Sequence, residues 1–141
     1  MIELDHIGVA VKNLQDARLA WDAGLGLRLG GVEEVPSQGV KVGFYALGGP
    51  RLELLEPLQP ENSIGNFLAR RGEGMHHVAF RVDDIEAVLA QAKRAGLRLI
   101  DEVPRPGSGG SQVAFIHPSS MHGVLVELVM EPRDGRPQSH G

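Results

Sequence analysis

The sequence predicts an α+β fold built from two tandem βαβββ modules that share one hydrophobic core. An internal repeat is the first sign: Leu4-Asp5-His6-Ile7-Gly8-Val9-Ala10 returns in altered form as Gly74-Met75-His76-His77-Val78-Ala79-Phe80, with His6 falling on His77, a displacement of 71 residues. The second is that later anchors keep the same spacing. Glu34-Val35-Pro36 matches Glu102-Val103-Pro104 at 68, Gly43-Phe44 matches Ala114-Phe115 at 71, and Glu53 matches Glu127 at 74, the drift arising from the longer loop Pro118 to Gly123. The third is length: 141 residues hold one ordinary core and are too few for two, so the halves must pack on each other.

Each element has a local reason. Ile2 to Val11 alternates as a strand does, and Asn13 can cap a helix from Leu14 to about Ala23 whose Leu14, Ala17, Trp21 and Leu25 form one apolar stripe, ended by Gly24 and Gly26. Leu27 to Val35, Val40 to Leu47 and Arg51 to Glu56 read as strands separated by Pro36-Ser37-Gln38-Gly39 and Gly48-Gly49-Pro50. Ser63 to Arg71 reads as a linker helix capped by Ser63, with Ile64, Phe67 and Leu68 on one face. The order then restarts with a strand from Met75 to Val82, an Asp83-Asp84 cap with Glu86 placed for a capping box, and a helix with the stripe Ile85, Val88, Leu89 and Ala92. Gly96 ends that helix, and Leu97 to Val103, Gln112 to His117 and Val124 to Met130 supply three more strands. The predicted organisation is a single domain over residues 1–132, with modules at about 1–58 and 74–132, the linker helix at 63–71, and a frayed tail at 133–141.

Composition narrows the function. No apolar run approaches the roughly 18 residues of a membrane span, and Met1-Ile2-Glu3 leads directly into patterned sequence with no signal segment, so a cytoplasmic protein without a membrane partner is expected. A net charge of −4 argues against nucleic acid as a partner. The absence of cysteine excludes disulfides and thiolate ligands, so any metal is held by nitrogen and oxygen.

Two metal-competent positions recur in both modules, each inside a strand: His6 with His77, and Glu53 with Glu127. One histidine at a strand end, or one strand glutamate flanked by aliphatics, is ordinarily a surface or core-edge residue. A histidine and a glutamate that both recur at equivalent positions are different, because strands related by a pseudo-twofold axis bring all four side chains together. Two imidazoles and two carboxylates suit one divalent ion of the zinc, cobalt, nickel, manganese or iron type. Gly8 and Ala10 share a face with His6, and Ala79 with His77, which predicts space beside the ion for a substrate. Strand parity places His76 on the opposite face or in support of His77, while His117 and His122 read as turn residues and His140 as tail. Gly107-Ser108-Gly109-Gly110-Ser111 reads either as a hairpin turn or, with Arg105, as a backbone cradle for phosphate.

The segments Leu4 to Ala10, Ser37-Gln38-Gly39-Val40, Leu52-Glu53-Leu54-Leu55-Glu56-Pro57, Gly72 to Phe80, Phe115-Ile116-His117-Pro118 and Gly123 to Leu128 together resemble the vicinal oxygen chelate (glyoxalase/bleomycin resistance/dioxygenase) superfamily, and within it the methylmalonyl-CoA epimerase family. The resemblance spans almost all of residues 4–130. It implies modules paired into a curved, cleft-forming mixed sheet, one divalent ion (cobalt first, with zinc, nickel, manganese or magnesium as alternatives) and a homodimer. It implies an isomerase of propionate metabolism that inverts C2 of methylmalonyl-CoA by proton abstraction and return through a metal-stabilised enolate. Inversion needs an acid/base group on each face of the carbon. Some family members use a glutamate where this chain has Val42, and carry glutamine where it has Glu53. The ligand set His6, Glu53, His77 and Glu127 resembles that of glyoxalase I, which implies Glu127 and Glu53 as the two catalytic bases. The rival expectations are a glyoxalase I-type metalloenzyme, a ring-cleaving dioxygenase and a non-catalytic ligand-binding protein of the same fold.

Overall fold

The computed structural model describes residues 2–132, and the predicted tail at 133–141 lies outside them. Eight strands form one mixed sheet that curls into a half-barrel: β1 (Glu3–Ala10), β2 (Leu29–Val35), β3 (Val40–Ala46), β4 (Arg51–Pro57), β5 (Gly74–Arg81), β6 (Arg105–Pro106), β7 (Gln112–Ile116) and β8 (Val126–Met130). Their order is β2-β3-β4-β1-β5-β8-β7-β6, which reads the same from either end once the modules are exchanged. β1 runs parallel to β4 and β5 parallel to β8, while β1 and β5 pair antiparallel at the centre. Among the described residues the α-helices are α1 (Leu14–Arg18), α2 (Ser63–Arg71) and α3 (Ile85–Arg94). Among the described residues no helix is long and apolar enough to cross a membrane.

The outer face is where alternation buries apolar side chains under α1 and α3. Leu14 is fully buried against Val11, Tyr45, Leu52 and Leu54, and Ile85 is fully buried with Leu89, Ala92, Ala114 and Leu128. Each such side chain contributes about 1.5–3 kcal/mol relative to exposure. The inner face is covered at one end by α2, whose Ile64, Phe67 and Leu68 pack with Ala10, Val40, Val42 and Leu55. The remainder of that face is left for a cleft.

Several elements differ from expectation for identifiable reasons. After α1 the chain continues as a π-helical segment, Leu19–Gly24, while Arg18 and the Tyr45 hydroxyl both hydrogen-bond the Asp22 carboxylate. The wider turn shifts the helical phase, so Leu25, predicted to be buried, is 68% exposed and Leu27 joins the core instead. α2 is capped by Asn62 rather than Ser63: its Oδ1 accepts the Gly65 N–H at 2.9 Å and its amide donates to the Gly39 carbonyl at 2.6 Å, tying the helix to the β2–β3 turn. Asp84 caps α3, which places Glu86 one position too early for a capping box. The strand predicted at Leu97 to Val103 does not form. Leu99 makes one isolated bridge to Ile116, but the Ile100 and Asp101 amides both donate to the Phe115 carbonyl, and the Asp101 carboxylate takes the Phe115 amide, so the ladder cannot advance. Pro104 lacks a donor, and pairing resumes only at Arg105 and Pro106.

Candidate active site

Register builds the site. Across one half of the sheet Phe44, Glu53, Gly8 and His77 lie side by side on β3, β4, β1 and β5; across the other half the row is Phe115, Glu127, Ala79 and His6 on β7, β8, β5 and β1. Directly paired residues share a face. Four side chains of the predicted set therefore meet on the inner face beside the pseudo-twofold axis, which passes at the Ile7–Val78 pair.

His6 and His77 turn their Nε2 atoms toward each other, 3.0 Å apart, with ring planes at 88°. Glu127 Oε1 lies 3.4 Å from His6 Nε2 and 3.2 Å from His77 Nε2. All three residues are only 7% exposed. Glu53 stands at the edge of this group: Oε1 is 3.7 Å from His6 Nε2, and Oε2 accepts a hydrogen bond from Arg51 at 2.7 Å. Among the described residues, His6, His77 and Glu127 offer donor atoms that all lie within 4.8 Å of one another.

The outward ring nitrogens are held by two residues that strand parity does not predict on this face. The β1–β5 ladder slips register once between Leu4 and His6, and again opposite Gly8 and Val9, where β5 skips His76. These bulges re-aim Asp5 and His76, which are themselves 71 residues apart. Asp5 Oδ2 accepts from His6 Nδ1 at 2.7 Å, and His76 Nδ1 lies 2.9 Å from His77 Nδ1. His76 thus supports its neighbour, one of the two places predicted for it, and Asp5 plays the matching part in the first module.

Charges follow from this arrangement. Burial opposes a charge on His6, yet hydrogen bonds to Asp5 and Glu127 and the nearby Glu53 and Glu127 carboxylates push its pKa up to about 10. Burial likewise opposes ionisation of Glu127, but hydrogen bonds from His6 and His77 hold it down to about 2. Burial, then the neighbouring His77, lowers His76 to about 4, so it stays neutral and can accept. The field that draws a proton to the paired Nε2 atoms also favours a divalent cation. With Nδ1–H of His6 donated to Asp5, its Nε2 lone pair faces the cluster, as a metal-binding imidazole requires. The donor set fits a borderline, sulfur-free ion.

The small residues have a different use from the one expected. A Cβ on Gly8 would lie 2.3 Å from His77 Cε1, so the space beside Gly8 is filled by the His77 ring, and Ala79 is fully buried with Val113 and Val129. Room for a substrate lies instead in a cleft of about 500 Å³, walled by Val42, Leu55 and Ile64 on one side and by Val113, Phe115 and Val129 on the other. A second cavity of about 640 Å³ adjoins it at Ser63, His76 and His77 and carries Arg70 and Arg71.

The remaining candidates resolve as turns. Gly107 N–H donates to the Ser111 carbonyl at 2.8 Å and Ser111 N–H to that of Ser108 at 3.2 Å, which closes 107–111 as a hairpin turn; Arg105 pairs with Asp101 at 2.9 Å, and Ser108, Gly109 and Ser111 line the edge of the cleft. His117 caps a short turn through Ser119 N–H, and His122 sits at φ 56°. His140 lies outside the described residues. Sequence reasoning missed Asp5 and Arg51. Arg51 was findable, because residues two apart on a strand share a face and a cation there can pair with Glu53.

Comparison with known proteins agrees with this geometry. Residues 5–115 match the glyoxalase/bleomycin resistance protein/dioxygenase superfamily. An uncharacterised protein of Bacillus subtilis (strain 168) is 40% identical over 99% of both chains. The mitochondrial methylmalonyl-CoA epimerase of Bos taurus is 40% identical over 89% of this chain and 72% of its own. A solved methylmalonyl-CoA epimerase in complex with methylmalonyl-CoA and NH4+ superposes with a TM-score of 0.84 at 36% identity, covering 93% of this chain and 95% of the other. With its paired modules, its inner-face cluster and relatives of this similarity along nearly its whole length, the chain belongs to the methylmalonyl-CoA epimerase family of that superfamily.

Proposed function

We propose that the protein interconverts the two C2 configurations of methylmalonyl-CoA, with Glu53 and Glu127 as the proton-transfer groups and His6, His77, Glu127 and Glu53 as metal ligands. The observation that carries this reading is the pair of carboxylates at equivalent strand positions, flanking two imidazoles on the floor of the cleft. The C2 proton lies between a thioester and a carboxylate, so its removal leaves an electron pair that delocalises into the thioester carbonyl. One glutamate takes the proton from one face; the other, already protonated, delivers one to the opposite face and so inverts the centre. A divalent ion held by these four residues, cobalt by family resemblance, would supply Lewis-acid stabilisation of the charge developing on the substrate oxygens.

The rest of the site supports this division of labour. Val42 is buried against Ala10, Val40 and Leu55 at the position where some relatives carry a glutamate, which leaves Glu53 as the strand carboxylate on that side of the cluster. The apolar side chains on the two sides of the cleft, Val42, Leu55 and Ile64 facing Val113, Phe115 and Val129, suit the methyl substituent. The adjoining cavity, with Arg70 and Arg71, suits the phosphates of a coenzyme A arm. By the same family resemblance we take the working form to be a cytoplasmic homodimer.

The test is deuterium wash-in at C2 of methylmalonyl-CoA in heavy water, run beside a methylglyoxal–glutathione assay. Exchange from both enantiomers, with no turnover of the hemithioacetal, is expected. Turnover in the second assay without exchange in the first would replace this function by a glyoxalase I-type lyase.

A further inference from the structure

The two carboxylates are equivalent in backbone position and unequal in support. Glu127 is gripped by both imidazoles, at 3.2 and 3.4 Å. Glu53 reaches one imidazole, at 3.7 Å, and its second oxygen is held by Arg51 at 2.7 Å. Arg51 is well placed for this. It lies across from His6 in the β1–β4 ladder, two residues before Glu53 on the same face, with its guanidinium 5.8 Å from the centre of the Phe44 ring. At the displacement of 74 that relates Glu53 to Glu127, the second module has Leu125 in place of Arg51. Arg105 does lie 5.5 Å from the Phe115 ring, the counterpart of Phe44, but its partner is Asp101.

We infer that Arg51 is the positioning residue for Glu53, so that proton transfer at one face of C2 depends on Arg51 and transfer at the other face does not. This rests on the epimerase reading above. Arg51 engages Oε2 and turns Oε1 toward the cleft. In the step it supports, the C2–H bond breaks, its electron pair passes into the thioester carbonyl, and the proton bonds to Glu53; in the reverse direction Glu53 returns it. Glu127 performs the same exchange from the opposite side, held by His6 and His77. Without Arg51 the Glu53 carboxylate loses the anchor on its second oxygen and can turn out of line with the carbon, which reduces the rate at that face; because the guanidinium also lines the cleft, KM is read beside the rate.

The experiment measures initial deuterium wash-in from each purified enantiomer of methylmalonyl-CoA with the metal-loaded wild-type protein, Arg51→Ala and Arg51→Lys. For Arg51→Ala, exchange from one enantiomer is expected to slow about tenfold or more, and from the other less than about threefold, with KM for both nearly unchanged. Arg51→Lys, which keeps the charge but not the fork, should recover part of the loss. With Co2+ as the probe, Arg51→Ala should retain one ion per chain and show shifted visible bands, because a released Oε2 alters the surroundings of the ion. Equal slowing of both enantiomers, a change confined to KM, unchanged rates, or bands identical to wild type would overturn the inference. Wild-type protein that exchanges neither enantiomer would remove the epimerase reading itself, an outcome separable from symmetric loss in the Arg51 variants.

Discussion

The two halves of the sheet carry matching rows across the cleft, phenylalanine, glutamate, a small residue and histidine, and then hold those rows in different ways. In the first module the imidazole leans on a carboxylate, Asp5, and the glutamate leans on a guanidinium, Arg51. In the second the imidazole leans on a neutral ring, His76, and the glutamate lies beside both histidines, within reach of each Nε2. Duplication supplied the symmetric frame that brings groups to both sides of one point. Inversion of a carbon needs such a frame, but its two faces are different surroundings, and the divergence falls in the residues that touch the clustered histidines and glutamates while those four residue types are unchanged.

The comparison can be broken most decisively at the glutamates. Glu127→Gln removes the carboxylate that contacts both buried imidazoles, so metal retention and exchange from both enantiomers should fall together, by about 10³-fold or more in rate. Glu53→Gln should abolish net inversion, slow exchange from one enantiomer by about 10²-fold, and leave metal content near one ion per chain. Metal analysis beside enantiomer-resolved wash-in checks both. If the two variants behave alike, the halves are chemically equivalent and the different tethers have no consequence.

A smaller effect separates the two small residues. The His77 ring lies against Gly8, so Gly8→Ala forces a methyl into it and should cost about 1–3 kcal/mol of stability while displacing the imidazole from the cluster. The mirrored change, Ala79→Gly, removes a buried methyl and adds backbone freedom; it should cost about 0.5–1 kcal/mol and leave metal binding intact. Thermal unfolding with and without added Co2+ measures each. Full metal affinity in Gly8→Ala would show that the ring has room to yield.

How far the sequence led is itself uneven between the halves. The cluster of His6, His77, Glu53 and Glu127 was legible because histidine and glutamate recur at nearly constant spacing, and a sheet built from repeated units must bring repeated positions together. The outer-face stripe of α3 was legible from periodicity, and that of the first helical segment as far as Leu14, Ala17 and Trp21 but not Leu25. What parity could not supply were the bulges that bring Asp5 and His76 onto the inner face, since a bulge depends on the partner strand. The π-helical segment after α1 and the failed strand at 97–103 have the same origin. Asp22 answers to Tyr45 and Asp101 to Phe115, both distant in sequence, and these contacts override local propensity.

The smallest effect sharpens the comparison through protons. In the metal-free protein His6, pushed up to about 10, carries a proton at neutral pH, whereas Glu127, held down to about 2, carries none and His76, lowered to about 4, is neutral. A divalent ion bound at His6 must therefore displace the proton that His6 carries. The signs run oppositely for stability and affinity. Because the folded value of His6 lies above its ordinary 6.5, its contribution to metal-free stability is fully present below pH 6.5 and lost as pH rises toward about 10. Across the same window metal affinity should strengthen about tenfold per pH unit as the competing proton leaves. Asp5→Asn weakens the hold on that proton and should flatten the slope. Calorimetry of Co2+ binding in buffers of different ionisation enthalpy reads the proton count directly. Release of no proton at pH 7.5 would mean that His6 is not protonated in the metal-free cluster, and that Asp5 does not hold its proton in place.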